Sequence, residues 1–466
     1  MERVAMKRFW GSFDFYKRAI YIALPVMAQA LIQNLVSLVD NFMVSGLGDV
    51  KMSGVNIAGQ ILFLFMIFLN TFCMAGGIFL TQFFGAKQKD GMCQAFKFKL
   101  FSSGIALIIY FAVCWIFPRW CLSLLVRGNL QAEAILNQGE HYLSMMGFCG
   151  IPMIICYAIG SSLKEIGRVK IPLIIGTIST FVNVAFNWIF IYGNLGAPRL
   201  EVRGAALATI IAKSVETICY VIYCVRKKPK FICALPEFFK LDFALFGEIF
   251  KKCSMMLFSE MLWAVAESIT VALYNGRGGA DVVAGMAASF AISNLFFVSF
   301  GGVTTATGVI LGSTLGAGKL EEAKQNSRWL LSGGAVFGFA MTLVGFATLP
   351  LVNVVFSNLS ETARDITRMM VFVQALYMPA WVFINVQFAI SRAGGDTMMG
   401  MLVDGIGNLG IVIPGMFFMA TCTQAGPVAM YAIIKAVEIP KITIAHIWLR
   451  KERWLKNLAS GKDARG

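Results

Sequence analysis

Asp40 is the one charged residue in an otherwise apolar stretch, Ala19 to Gly46, made largely of Leu, Ile, Val, Met, Phe and Ala. The stretch exceeds the roughly 20 residues that a helix needs to cross a hydrocarbon core of about 30 Å. An ionisable group there is costly to keep, so by default it marks a path for an ion, a proton or a substrate. The competing reading is a carboxylate that reaches the headgroups, since Asp40 precedes Gly46 by only about 9 Å of helical rise. Further along, Asn183 and Asn187 stand i, i+4, hence on one face of a single helix, and Thr209 opens the next apolar run. One carboxylate, two amides and a hydroxyl make a set of hard oxygen donors suited to a small cation. A carboxylate isolated among apolar groups suits a proton equally well. Against this, the two Asn residues could simply bond across helices, a packing device worth about 1 kcal/mol each.

The second half carries its own acids. Glu260 and Glu267 lie two helical turns apart on one face of the seventh apolar run, and Asp404 lies in the eleventh. Carboxylates in a cavity attract organic cations and can exchange them for a proton or a sodium ion, which is the chemistry of an antiporter. The alternative is a set of fixed ion pairs with Lys213 or Lys435. Glu216 and Glu438 each follow a lysine by three residues, Lys213 and Lys435, and are expected to form local pairs. Many of the 25 Met and 40 Phe face lipid or pack helices, but some could supply an adaptable aromatic lining for amphipathic ligands. Gly85-Ala-Lys and Gly316-Ala-Gly-Lys lack phosphate-loop spacing and read as turns after membrane helices.

The elements that must position these residues are membrane helices. With 58% hydrophobic residues, 14% charged and a mean hydropathy of +0.72, the chain is a polytopic membrane protein. The net charge of +15 therefore reads as topology, and no nucleic-acid partner is expected. About twelve apolar runs, centred near residues 33, 70, 108, 148, 182, 214, 264, 298, 340, 380, 409 and 438, alternate with short connections. Most of the 40 Lys and Arg fall before the first run and after the even-numbered ones, so both termini are expected in the cytoplasm. Residues 1–18, with aromatics among Lys and Arg, read as an interfacial lead-in, and nothing resembles a cleaved signal. The 11 Cys form no CxxC pair, and with His141 and His446 alone a zinc centre or a His-based active site is poorly supported.

The connection Arg226 to Lys252 divides the runs six and six, predicting a lobe over residues 1–235 and another over 236–466. The halves are copies. Gly77-Ile-Phe-Leu-Thr-Gln-Phe-Phe-Gly85-Ala86 matches Gly308-Val-Ile-Leu-Gly-Ser-Thr-Leu-Gly316-Ala317, and Lys213 with Glu216 matches Lys435 with Glu438. An even number of spans in each half makes the repeat parallel, as in carriers that bind substrate between two lobes. The fold class predicted is an all-α integral membrane protein of twelve transmembrane helices in two pseudo-symmetric six-helix lobes.

Several phrases resemble the multidrug and toxic compound extrusion (MATE) family. They are Leu24-Pro25 with Val39-Asp40, Gln82-Phe-Phe-Gly85-Ala86, and Asn183 to Gly193. Gly196-Ala197-Pro198 leading to Gly204-Ala-Ala-Leu-Ala-Thr209, and Arg392-Ala-Gly-Gly-Asp396-Thr397, complete the set. The resemblance spans nearly the whole chain. It implies a cleft that opens alternately to each side, and export of small cationic amphipathic compounds against sodium ions or protons. It maps the family's cation site onto Asp40, Asn183, Asn187 and Thr209, and its acid on the seventh helix onto Glu260. Some branches carry Asp where this chain has Asn187. The sodium-driven branch carries an Asp on the tenth helix, whereas Met369 to Ile390 holds no acid, leaving Asp404 as the candidate substitute. The expectation is a monomeric, multi-pass cell-membrane antiporter that uses no cofactor and binds no metal beyond a sodium ion at Asp40. Two rivals are a flippase of lipid-linked sugars, which would want a cationic cleft, and a membrane-embedded enzyme, which would want a reactive His–Asp pair or an HExxH run. The buried charges are mainly acidic, and neither enzyme pattern occurs.

Overall fold

Within a bilayer every backbone N–H and C=O must find its partner inside the chain, so long apolar runs become helices. The computed structural model describes residues 9–126 and 131–460, and the first eight residues of the lead-in lie outside that range. Among the described residues there are helices and no strands.

The first six spans are α1 (Phe13–Ser45), α2 (Asp49–Gly85) and α3 (Lys89–Phe111, prolonged by a wide turn over Ala112–Ile116). After a short α4 (Pro118–Ser123) come α5 (Ala132–Met146) continued by α6 (Gly150–Glu165), then α7 (Lys170–Tyr192) and α8 (Val202–Lys227). The second six begin with α9 (Phe243–Asn275) and α10 (Ala280–Phe297) continued by α11 (Ser299–Gly316). Next are α12 (Leu320–Ala347) with α13 (Leu349–Val355), and α14 (Glu361–Ala393). α15 (Met398–Gly400) runs through wide turns over Met401–Ile406 and Asn408–Val412 into α16 (Ile413–Cys422), and α17 (Pro427–Lys435) and α18 (Glu438–Arg450) end the series. Eleven of these spans are long and apolar enough to cross a membrane. The twelfth, α17 with α18, is interrupted between Lys435 and Glu438, near the centre expected from the sequence.

By contact the chain groups into two compact units, one of residues 28–80 and 89–249, the other of 1–27, 81–88 and 250–466. The boundary at 235/236 drawn from the sequence falls inside the last segment of the first unit, because the connection there is not a free linker. Lys97 on α3 donates to the carbonyls of Glu237 (2.6 Å) and Lys240 (2.8 Å), and Phe96 and Phe101 pack against Phe231 and Phe238.

Within the first unit the fully buried Lys99 ammonium donates to Glu165 Oε2 (2.5 Å), Ser161 Oγ (3.0 Å) and Ser162 Oγ (3.1 Å), which uses all three of its protons. Gly76 and Gly77 on α2 make the space: a Cβ at the first would lie 2.7 Å from Lys99 Cγ, and one at the second would strike the Glu165 carboxylate. Removing one partner from such a pair leaves a buried charge uncompensated, at a cost of about 3–5 kcal/mol. Lys99→Met is therefore expected to lower the unfolding temperature in detergent markedly, with Lys99→Met/Glu165→Gln recovering part of the loss. A double variant no more stable than the single one would contradict this account.

Within the second unit the matched repeat segments meet. A Cβ on Gly85 would fall on the Ser313 carbonyl, and a Cβ on Gly316 on the Gln82 carbonyl; these are the same two contacts with the repeats exchanged. Gln82, also buried here, donates to Ala393 O (2.7 Å) and Lys456 O (3.2 Å) and accepts from Leu458 N (2.7 Å), which fastens the end of the described chain to the same crossing.

Candidate cation site

Three helices of the first unit bring four polar side chains together near their ends. Asp40 lies five residues before the end of α1, Asn187 five before the end of α7, and Thr209 seven after the start of α8. Thr209 thus sits about two turns inside its helix rather than opening it, and donates to the Ala205 carbonyl (3.0 Å). Asn183 and Asn187, buried on the inner face of α7, point the same way because i, i+4 residues share a face.

Asn187 donates to Asp40 Oδ1 at 2.7 Å. The Asn183 amide nitrogen faces the same carboxylate and donates to Asp40 Oδ2 (2.9 Å) and Oδ1 (3.1 Å). Asn187 Oδ1 is buried and accepts no hydrogen bond among the described residues. No Lys or Arg among the described residues pairs with Asp40, whose contact is with neutral amides. Tyr142 on α5 packs into the apolar cluster of Val44, Ile191 and Ala205 at this end of the unit and lies within electrostatic reach of Asp40. Nothing in its spacing distinguishes it from the other Tyr residues.

The acids of the second unit are arranged differently. Glu267 on α9 is bound by Lys435 (3.0 Å). Asp404 lies in the wide-turned stretch between α15 and α16, and its Oδ1 accepts from Lys441 (2.9 Å), which also donates to Asn408 Oδ1 (3.0 Å). Glu260 lies within electrostatic reach of Arg392 and Asp404. The local pair expected between Lys435 and Glu438 does not form: Lys435 is committed to Glu267, and Glu438 meets Lys441 at 3.5 Å. Its counterpart does form, with Lys213 on Glu216 at 2.7 Å.

Asp404 and Asn408 repeat the i, i+4 spacing of Asn183 and Asn187 in the eleventh span. There the oxygens hold the ammonium of Lys441, a cation tethered to the chain, with its side chain only 4% exposed. Around Asp40 no Lys or Arg among the described residues fills the corresponding place. One carboxylate with neutral oxygens matches a single positive charge, and no group of three or more His, Cys, Asp or Glu suited to a metal occurs among the described residues.

Comparison with known proteins follows the same lines. A family model described as MatE matches residues 25–189 and 255–418. A probable multidrug resistance protein NorM of Thermotoga maritima is 22% identical over 456 residues, 95% of this chain and 94% of that one. A crystal structure of MATE in complex with MaL6 superposes with a TM-score of 0.84 at 17% identity, covering 95% of this chain and 97% of that one. An outward-facing multidrug resistance MATE family transporter of the MOP superfamily gives 0.81 at 17%, covering 94% and 95%.

Proposed function

The chain belongs to the MatE family of membrane transporters, and on that premise we propose that it is a multidrug efflux antiporter driven by sodium ions or protons. The observation that carries the reading is Asp40 held, among the described residues, by amides and no cation, beside a buried acceptor on Asn187 that none of them uses. Export of drug-like molecules is supported by the curated relatives, which are named multidrug resistance proteins.

In this reading the Asn183 and Asn187 amides bond the ionised Asp40, and a proton or sodium ion arriving at the carboxylate changes those bonds, so cation binding on α1 is felt on α7. A cation that binds one arrangement better shifts the population by that difference in affinity, which is all that coupling requires. The acids of the second unit, Glu260, Glu267 and Asp404, supply negative charge for cationic amphipathic substrates. The protein acts as a monomer in the cell membrane with both termini in the cytoplasm, the face to which the positive connections point.

Dye movement in inverted vesicles, followed under separate sodium and proton gradients, tests the reading. Transport driven by one or both gradients and abolished when both are collapsed is expected; equal dye movement without any gradient would overturn it.

A further inference from the structure

Inside the first unit, the connection that follows α8 folds one cysteine back onto another. The Ile232 N–H donates to the Pro229 carbonyl (2.9 Å), closing a turn from which Cys233 emerges beside α3. Cys93, in the second turn of α3, is buried, and its thiol donates to the Lys230 carbonyl (3.8 Å). The Cys233 thiol donates to the next carbonyl along, that of Phe231 (3.8 Å). The two sulfurs thus border adjoining peptide units and lie within hydrogen-bonding reach of each other, both as free thiols. Their surroundings hold them there: the Phe96 ring packs on Phe231 at 5.1 Å, and Lys97 grips the connection at Glu237 and Lys240.

Lys89 and Lys97 lie within electrostatic reach of Cys93. The thiolate is the form of cysteine that reacts, and cations beside a thiol favour it. Cys233 is only partly buried, which leaves the pair open to a small reagent from the side of the connection. In the proposed topology that side is the cytoplasm, where disulfides are kept reduced and a pair of thiols in contact senses oxidant rather than stapling the fold permanently.

We propose that Cys93 and Cys233 form a peroxide-responsive modification site, at which a reversible disulfide ties the connection between the two halves of the chain to α3. The Cys93 thiolate attacks hydrogen peroxide; an S–O bond forms, the O–O bond breaks, and the hydroxide released takes up the proton that the thiol gave. The Cys233 sulfur then displaces the hydroxyl of the resulting sulfenic acid, and its own proton leaves with that oxygen, so that two thiols and one peroxide give one disulfide and two waters. A dithiol reverses the bond by exchange. Because the disulfide closes a loop of about 140 residues, it restricts the unfolded chain and stabilises the folded one. The site stands apart from Asp40 and does not depend on the transport reading.

The test uses the full chain purified in detergent, treated with hydrogen peroxide, alkylated and digested without reductant. Mass spectrometry should find a peptide pair joined through Cys93 and Cys233 that dithiothreitol separates, and the oxidised protein should unfold several degrees above the reduced one. Cys233→Ser, at the partly buried position, should lose both the cross-link and the shift, and should leave Cys93 as a sulfenic acid that dimedone captures. Wild-type protein in which both cysteines stay alkylatable after peroxide, or in which either is joined chiefly to a different cysteine, would overturn the proposal. So would dimedone capture at Cys93 as high in the wild type as in Cys233→Ser, since the second sulfur would then not reach the first.

Discussion

Asp40→Asn is expected to reduce drug extrusion to the level of cells carrying no transporter, with expression and unfolding temperature unchanged. The substitution preserves shape. The new amide can still accept from Asn187 and bond Asn183, so the contacts between α1 and α7 survive. What it removes is the carboxylate of the site, and with it, in the proposed reading, the affinity for a proton or a sodium ion. Asp404→Asn should be milder, because Lys441 keeps Asn408 and Glu438 as partners. Resistance assays with dye accumulation measure both. Full resistance in Asp40→Asn would remove that residue from the mechanism.

The second large effect concerns the crossing of the repeats. Gly316→Val should yield no monodisperse protein, because a side chain there meets the Gln82 backbone carbonyl rather than the movable end of a neighbour. Overpacking a core ordinarily costs about 1–3 kcal/mol, and more when, as here, a helix backbone must give way. Gly85→Val meets the Ser313 carbonyl in the same manner and should fail likewise. Gly400→Ala is the contrast: a Cβ there has nothing within 4 Å, and purification should give wild-type yield. Size-exclusion profiles of the three variants decide the matter, and a well-behaved Gly316→Val would refute the close crossing.

Much of this was legible in the chain because a bilayer restricts the alternatives. Each of the twelve apolar centres lies within a span, since length and hydropathy decide insertion before packing does. Asp40 stood out because a carboxylate in an apolar run is rare, and Asn183 with Asn187 because i, i+4 spacing fixes a shared face. What could not be read was which helix faces which. The partner of Asp404 is Lys441, although Lys213 and Lys435 were the lysines considered, and Glu438 takes Lys441 in place of the lysine three residues before it. One-dimensional spacing gives the face of a helix but not the neighbour set against it. The meeting of Gly85 with Ser313 and of Gly316 with Gln82 was hidden for the same reason, although the repeat itself was plain. The clasp of Lys97 on the connection at 237–240 was equally out of view, because charge runs in connections ordinarily signal topology alone.

In the proposed reading a mobile cation exchanges at Asp40, with which no Lys or Arg among the described residues pairs, and not at Asp404, which Lys441 holds. Proteoliposomes loaded with dye and followed for the counter-moving cation, by isotopic sodium uptake and by internal pH, measure that exchange directly. The account predicts cation entry in step with dye exit for the wild-type protein, and none for Asp40→Asn. Cation entry that persists in Asp40→Asn would contradict it.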